Sequence, residues 1–417
     1  MMSIDLNQIK SIFFIGIGGI GISALAKMAA AKGIEVSGVN DEEGKTVDSL
    51  KELGMEIIMS KGTLDVLPEA DMYIYSDAWL HRGPEIIEEA KRIGKPVLNY
   101  ADALGVFAKD YKVIAVAGTH GKTTTTAMIA EVLVDAGLDP TVVVGSFVQK
   151  FGSNFRKGNG KYLVVEADEY NRHFLSLHPF IGVVTNIEAD HLDYYKDLKD
   201  VQNAFDQFLA QSEHTVVDYS SYVEKVPQLL VPGVHNRMNA AAALAVADIL
   251  KVPLDLSRGT LAKFSGTWRR LEKKGQTEAG TIIYDDYAHH PTEIKASLQA
   301  LRELYPKDAG KKITVLFQPH LYSRTKALFD DFAKSFGDAD TVLLLPIYFA
   351  REDPDPNVSS ERLSMAMCLE GVNVRAFPDF SSAETAVSSL NFGPNDVFVT
   401  MGAGEAYKVA DKTFKLA

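Results

Sequence analysis

Short apolar runs, bounded by glycine or charge, recur along this chain, and stretches of helical character separate them. Ile12-Phe13-Phe14-Ile15 predicts a buried parallel strand. Ile20 to Lys32 predicts a helix closed by Gly33. Glu35 to Val39, Met72-Tyr73-Ile74-Tyr75 and Pro96-Val97-Leu98 predict further strands, with a helix from Pro84 to Arg92 that has proline near its start. A second block begins near Lys112. Its strands are predicted at Val113–Ala117, Thr141–Val144, Tyr162–Val165 and Gly182–Thr185, and its helices at Thr124–Ala136, Val201–Leu209 and the alanine-rich Asn239–Leu250. A third block begins near Trp268, with strands at Thr281–Tyr284, Ile313–Phe317, Thr341–Leu345 and Val397–Thr400. Asp353-Pro354-Asp355-Pro356-Asn357 reads as a loop. Alternation of strand and helix is the βαβ signature, so the expected class is α/β in three domains, residues 1–108, 109–267 and 268–417.

Composition narrows the function classes. Hydrophobic residues make up 46% of the 417 and charged residues 24%, ordinary values for a globular chain. Lys and Arg number 43 against 55 Asp and Glu, a net charge of −12 that disfavours nonspecific nucleic-acid binding. Ser11 to Ala26 is an uncharged run of 16 residues, short of the roughly 20 a membrane helix needs, and it holds Gly16, Gly18, Gly19 and Gly21. No membrane partner is expected. The single cysteine, Cys368, can form no internal disulfide, which suits a reducing cytoplasm. It falls in Ser364–Leu369, which reads as a buried helical segment rather than a nucleophile's setting.

The candidate chemistry sits at predicted strand ends. Gly16-Ile17-Gly18-Gly19-Ile20-Gly21 matches G-x-G-x-x-G between a strand and a helix, a turn that lets a diphosphate approach the backbone. Asn40 and Asp41 sit near the place of a ribose-binding acid, so a nicotinamide dinucleotide is a rival ligand for the same turn. Gly118-Thr119-His120-Gly121-Lys122-Thr123-Thr124 is a G-T-x-G-K-T variant of the phosphate loop, with Val116 where the standard loop has its first glycine. Lys122 is expected to neutralise phosphate charge, the Thr123 hydroxyl to ligate Mg²⁺, and the N–H groups from Gly118 to Lys122 to cradle oxygens. Glu166-Ala167-Asp168-Glu169 and Asn186-Ile187-Glu188-Ala189-Asp190-His191 follow the next two strands and supply carboxylates for a metal. His235-Asn236-Arg237-Met238-Asn239 precedes the alanine-rich helix. Arg269 and Arg270 offer two guanidiniums for phosphate or carboxylate. Asp285-Asp286-Tyr287-Ala288-His289-His290 and Gln318-Pro319-His320 end two strands. They bring no third acid or histidine at zinc-ligand spacing, so anion and amino-acid recognition fits them better.

In this order and spacing the motifs resemble those of the Mur ligases of peptidoglycan synthesis, across all three blocks. The resemblance implies an N-terminal Rossmann-like domain that binds UDP, a central ATPase-like domain with the phosphate loop, and a C-terminal Rossmann-like domain that binds the amino acid. It implies an ATP- and Mg²⁺-dependent amide ligase, in which a substrate carboxylate becomes an acyl phosphate and an amine displaces phosphate. UDP-N-acetylmuramate and L-alanine are the implied substrates. A murein tripeptide in place of L-alanine and a degenerate nucleotide-binding homologue are the alternatives. Lys122, Glu166, His191, Arg270, His289 and Arg324 are implied as catalytic, and Thr123, Glu166 and His191 as the metal group. Gly118 to Thr124 with His235, Asn236 and Asn239 would hold ATP. Gly16, Gly18, Gly19, Gly21 and Ser76 would serve the sugar nucleotide, and Tyr287, His289, His320 and Arg324 the amino-acid side. The protein is expected to be cytoplasmic, as a monomer or weak homodimer. Some positions depart from the family pattern: Lys61-Gly62, Ser76-Asp77-Ala78 for Ser-Ser-Ala, Tyr100 near an expected arginine, and Leu321 for arginine. The segment from His191 to His235 is short relative to the family.

Overall fold

A computed structural model describes residues 4–191, 194–349 and 352–417. The fold is α/β throughout, with three sheets. The first joins β1 (Ser11–Ile15), β2 (Glu35–Asn40), β3 (Glu56–Met59), β4 (Met72–Tyr75) and β5 (Val97–Asn99) in the order β3-β2-β1-β4-β5, all parallel. The second has β6 (Lys112–Ala117), β7 (Thr141–Val148), β8 (Ser153–Arg156), β9 (Tyr162–Glu166), β10 (Ile181–Val184) and β11 (His214–Val216) in the order β11-β10-β6-β9-β7-β8, with only β8 antiparallel. The third has β12 (Glu272–Gln276), β13 (Ile282–Asp286), β14 (Lys312–Phe317), β15 (Thr341–Leu344), β16 (Val374–Ala376) and β17 (Asp396–Met401) in the order β12-β13-β17-β14-β15-β16, with β12 antiparallel.

These elements form two compact units. The first takes the chain to Asp190, Tyr194–Pro227 and Asn239–Lys263, and so holds the first two sheets. β1 and β6 are apolar almost throughout and buried on both faces, as parallel strands covered by helices require. One continuous core links the two sheets: Phe14, Leu25 and Phe107 belong to the same cluster as Val113, Ala115 and Ala117 of β6, and Phe205. The helix Ile20–Ala31 packs on β7 and β8, where the buried Lys27 ammonium donates to Asn154 Oδ1 at 2.9 Å.

The second unit holds His191, Gln228–Met238 and Phe264–Ala417. Its sheet has a core on each face. Val315 and Phe317 of β14 face one, and Leu316 between them faces the other, the period of two that a strand imposes.

Two sequence expectations change here. The alanine-rich helix starts at Val234, so His235 and Asn236 lie inside its first turn rather than before it. Cys368 is exposed. The helix Ser360–Leu369 turns Leu363 and Met367 inward, a four-residue spacing, and Cys368 falls one position past that stripe beside exposed Leu369. No helix among the described residues is long and apolar enough to cross a membrane.

Candidate active site

In the first sheet the chain reverses its progress between β1 and β4, and ligands of open α/β sheets bind at such a point, beyond the strand C-termini. The glycine turn follows β1 and Ser76 follows β4. A cleft of about 240 Å³ opens there, lined by Gly16, Gly18, Gly19 and Ser76 together with Trp79 and Arg82. Gly18 cannot carry a side chain, because a Cβ would lie 2.5 Å from the Asn40 amide, whose Oδ1 accepts the Gly18 N–H at 3.0 Å. Gly16 has φ 81, and a Cβ on it would overlap the Trp79 indole. Gly21 lies against Tyr100.

In the second sheet β6 runs between β9 and β10, so the phosphate loop lies between the two acidic segments. The loop is Gly118 (φ 134) to Gly121 (φ 81), and the helix Lys122–Asp135 starts two residues earlier than its sequence suggests. Glu166 is held from two sides: the Thr123 hydroxyl donates to Oε1 at 3.0 Å, and the Gly145 N–H donates to Oε2 at 2.7 Å. A hydroxyl and a carboxylate meeting at a helix N-terminus are hard oxygen donors, the set that fits Mg²⁺ and a phosphate.

Lys122 Nζ donates to the Gly118 carbonyl at 2.6 Å and to Glu169 Oε1 at 2.9 Å. Burial opposes its charge, but Glu169, Asp168 and Glu166 outweigh burial and hold the ammonium above its ordinary value. Lys122 is therefore a fixed cation.

Two N–H groups of the loop have partners within the chain. The Thr119 N–H already donates to the Asn186 carbonyl at 3.0 Å, and the His120 N–H to Asn186 Oδ1 at 2.9 Å. These two lace the loop to the segment after β10, and the helix N-terminus, which favours an anion, follows at Lys122. Asn239 comes to this loop as well: a Cβ on Gly121 would overlap its Oδ1. Thr124 follows in the buried first turn. His191, after β10, has a left-handed backbone at φ 54.

In the second unit, Asn236 Nδ2 donates to the Pro232 carbonyl at 2.7 Å. The His235 ring packs by Gly233 and Ala300. Burial pushes the His235 imidazole down to about 4, against the pull of Glu293, so it is neutral.

An aromatic row crosses the ends of β13 and β14. The Arg270 guanidinium lies 5.0 Å from the Tyr287 ring centre, Tyr287 meets His289 edge-on at 5.4 Å, and His289 meets His320 at 5.8 Å. His289 Nδ1 faces two acceptors, the Tyr287 carbonyl at 3.0 Å and Glu293 Oε2 at 3.3 Å. A proton on Nδ1 satisfies both acceptors. Arg324 Nη1 lies 3.2 Å from His320 Nδ1, a short reach set by their four-residue spacing around Leu321, a strained position at φ 71.

Arg269 corrects the sequence expectation. It is buried, and its guanidinium is spent on Asp285 (2.8 Å) and on the Gly402 and Gly404 carbonyls (2.6 and 3.0 Å). It anchors the strand ends, so only Arg270 of the pair remains for a ligand role.

The chain matches the descriptions "Mur ligase family, catalytic domain" over residues 11–112, "Mur ligase middle domain" over 116–222 and "Mur ligase, glutamate ligase domain" over 269–404. A UDP-N-acetylmuramate–L-alanine ligase of Clostridium kluyveri is 35% identical to it, over 98% of this chain and 99% of that protein. The chain belongs to the Mur ligase family. One from Solidesulfovibrio magneticus is 37% identical over 97% of both chains. The crystal structure of UDP-N-acetylmuramate–alanine ligase from Thermotoga maritima superposes on this Mur ligase with a TM-score of 0.83 at 28% identity, over 97% of this chain and 98% of that one. A murein peptide ligase of Psychrobacter arcticus shares the fold at a TM-score of 0.69 and 22% identity, over 97% of this chain and 98% of that one.

The segment after β10 braces the phosphate site. Tyr195 donates its hydroxyl to the Glu169 carbonyl and Tyr219 to the Thr185 carbonyl, each at 2.5 Å. Sequence reasoning missed both tyrosines, and missed Trp79 and Arg82 in the glycine-turn cleft. Arg82 pairs with Asp41 at 2.7 Å, a contact no local pattern announces.

Proposed function

We propose that this Mur ligase joins L-alanine to the carboxylate of UDP-N-acetylmuramate through an acyl phosphate, with ATP and Mg²⁺, in the synthesis of peptidoglycan precursor. The observation that carries this reading is similarity to proteins named for that reaction along nearly the whole of both chains, at 35 and 37% identity. The murein peptide ligase fold is less similar at both levels, so L-alanine is preferred to a tripeptide.

The proposed division of labour follows the site. Residues 1–108 bind the sugar nucleotide, with its diphosphate on Gly16, Gly18, Gly19 and Gly21 and with Ser76 beside it. Residues 109–267 bind ATP, with phosphates on Gly118 to Thr124 and the adenine by His235, Asn236 and Asn239. Residues 268–417 bind the amino acid. Mg²⁺, when bound, supplies Lewis-acid neutralisation of the phosphate oxygens. Thr123 and Glu166 would hold it with two oxygen donors already clamped together, and His191 completes the proposed group. Lys122, paired with Glu169, supplies a second cation beside the loop for the developing charge. Arg270, Tyr287, His289, His320 and Arg324 orient the acyl phosphate and the incoming amino acid. The Tyr287 carbonyl and Glu293 orient the His289 ring through Nδ1. The proposed setting is the cytoplasm, where ATP and nucleotide sugar are both at hand.

A label in the substrate carboxylate tests the chemistry. If the carboxylate attacks phosphorus, heavy oxygen from it must end in the released phosphate. Phosphate that carries no label would exclude the acyl phosphate.

A further inference from the structure

Asp77, after β4, and Asp168, after β9, both bear on one imidazole. His173 Nε2 lies 2.8 Å from Asp77 Oδ2, and His173 Nδ1 lies 3.8 Å from Asp168 Oδ2. The Asp77 oxygen also accepts from Asn171 Nδ2 at 3.3 Å. Asn171 and Arg172, just before this histidine, are both left-handed, at φ 53 and 57. Two consecutive residues with a Cβ in that region are costly and persist only where surrounding contacts enforce them. Here Asp77 holds Asn171, while Asp200 holds Arg172 at 2.5 Å with the Tyr195 ring beneath its guanidinium. What this strained turn achieves is the aim of His173. Burial works against charge on that imidazole, but Asp168 and Asp77 prevail and lift it to about 9, so it is an imidazolium at neutral pH.

The proposed reaction needs a cation in this place. A substrate carboxylate has to approach a triphosphate at strand ends that already carry Glu166, Asp168, Glu169 and Asp77. Lys122 is engaged with Glu169. Like charges at short range in a partly buried site repel strongly.

We propose that His173 is a positioning residue that neutralises Asp77 and Asp168, so that the carboxylate of the sugar nucleotide can approach the phosphate loop. The inference rests on the function proposed above. Nothing in the sequence points to it: Asp77 and His173 are 96 residues apart.

Steady-state kinetics of the full chain test it. His173→Gln should raise the KM for UDP-N-acetylmuramate at least about tenfold and move the KM for ATP less than about twofold. The double variant Asp77→Ser with His173→Gln, which removes an acid along with the cation, should recover most of that loss. His173→Lys, which keeps the charge, should stay within about threefold of the unmodified chain and serves if the glutamine variant folds poorly. Equal rises in both KM values, or a double variant no better than His173→Gln, would make the role merely structural and overturn the proposal. An unmodified chain that releases no ADP would defeat the functional reading instead.

Discussion

The hydroxyl of Thr123 and the carboxylate of Glu166 meet at 3.0 Å, although 43 residues separate them in the chain. β6 and β9 are neighbours in the second sheet, with Val116 directly opposite Glu166, so the two strands deliver their ends to one point. The Gly145 N–H fixes the other carboxylate oxygen. Glu166→Gln preserves this shape and loses the charge. Turnover should fall at least about a hundredfold, the order carried by one preorganised electrostatic partner, and more Mg²⁺ should be needed for half-maximal rate. ADP release titrated with Mg²⁺ checks both.

Lys122→Ala should likewise cost at least about a hundredfold in turnover, because it removes the fixed cation of the loop. A variant with near-normal turnover would mean that this loop is not the catalytic phosphate site. Glu169→Ala has a different signature. It strands a buried ammonium, and breaking a buried pair from one side costs about 3 kcal/mol or more. Urea unfolding should show that loss.

The adjacent arginines should separate cleanly. Arg269→Ala removes the partner of buried Asp285 and of two carbonyls, and should cost about 3–5 kcal/mol in stability. Arg270→Ala should leave the unfolding free energy within about 0.5 kcal/mol of the original and lower turnover. If the two variants behave alike, the division between anchor and ligand residue is wrong.

That division marks the limit of what the sequence displays. Trp268-Arg269-Arg270 offers two identical side chains, and only the backbone, left-handed at Arg269 (φ 56) and Leu271 (φ 47), sends one inward. The phosphate loop was legible because its glycines and lysine act within one turn. The parallel core strands were legible because burial on both faces leaves an apolar run. The edge strands β8 and β12 carry Ser-Asn-Phe-Arg and Glu-Lys-Lys-Gly-Gln, which announce no burial, and they escaped. The start of the alanine-rich helix escaped too, since Asn236 is an ordinary cap residue by type. Pairs such as Lys122 with Glu169, or Tyr195 with the Glu169 carbonyl, are set by strand order, which no local spacing encodes.

Glu131, on the helix that opens with Lys122, gives a prediction about pH. It is buried, and Oε1 has no hydrogen-bond partner among the described residues. Burial pushes its carboxyl up to about 7, against the pull of Lys150 at 3.9 Å. The folded chain thus keeps a proton that the unfolded chain releases near the usual 4.5. The group's contribution is intact below that value and is lost as pH rises through about 7. Glu131→Gln should therefore gain stability relative to the unmodified chain at about pH 8, by at most about 3 kcal/mol, and little at about pH 5. Urea midpoints at the two pH values decide. An equal shift at both would show that ionisation of Glu131 is not the cause.

The most direct measurement of the central claim is ADP release by the unmodified chain with ATP and Mg²⁺, in the presence of UDP-N-acetylmuramate and single amino acids or the murein tripeptide. The account predicts release that requires both the sugar nucleotide and L-alanine, despite Asp77 and Leu321. Release that requires the tripeptide instead, or no release with any combination, would contradict it.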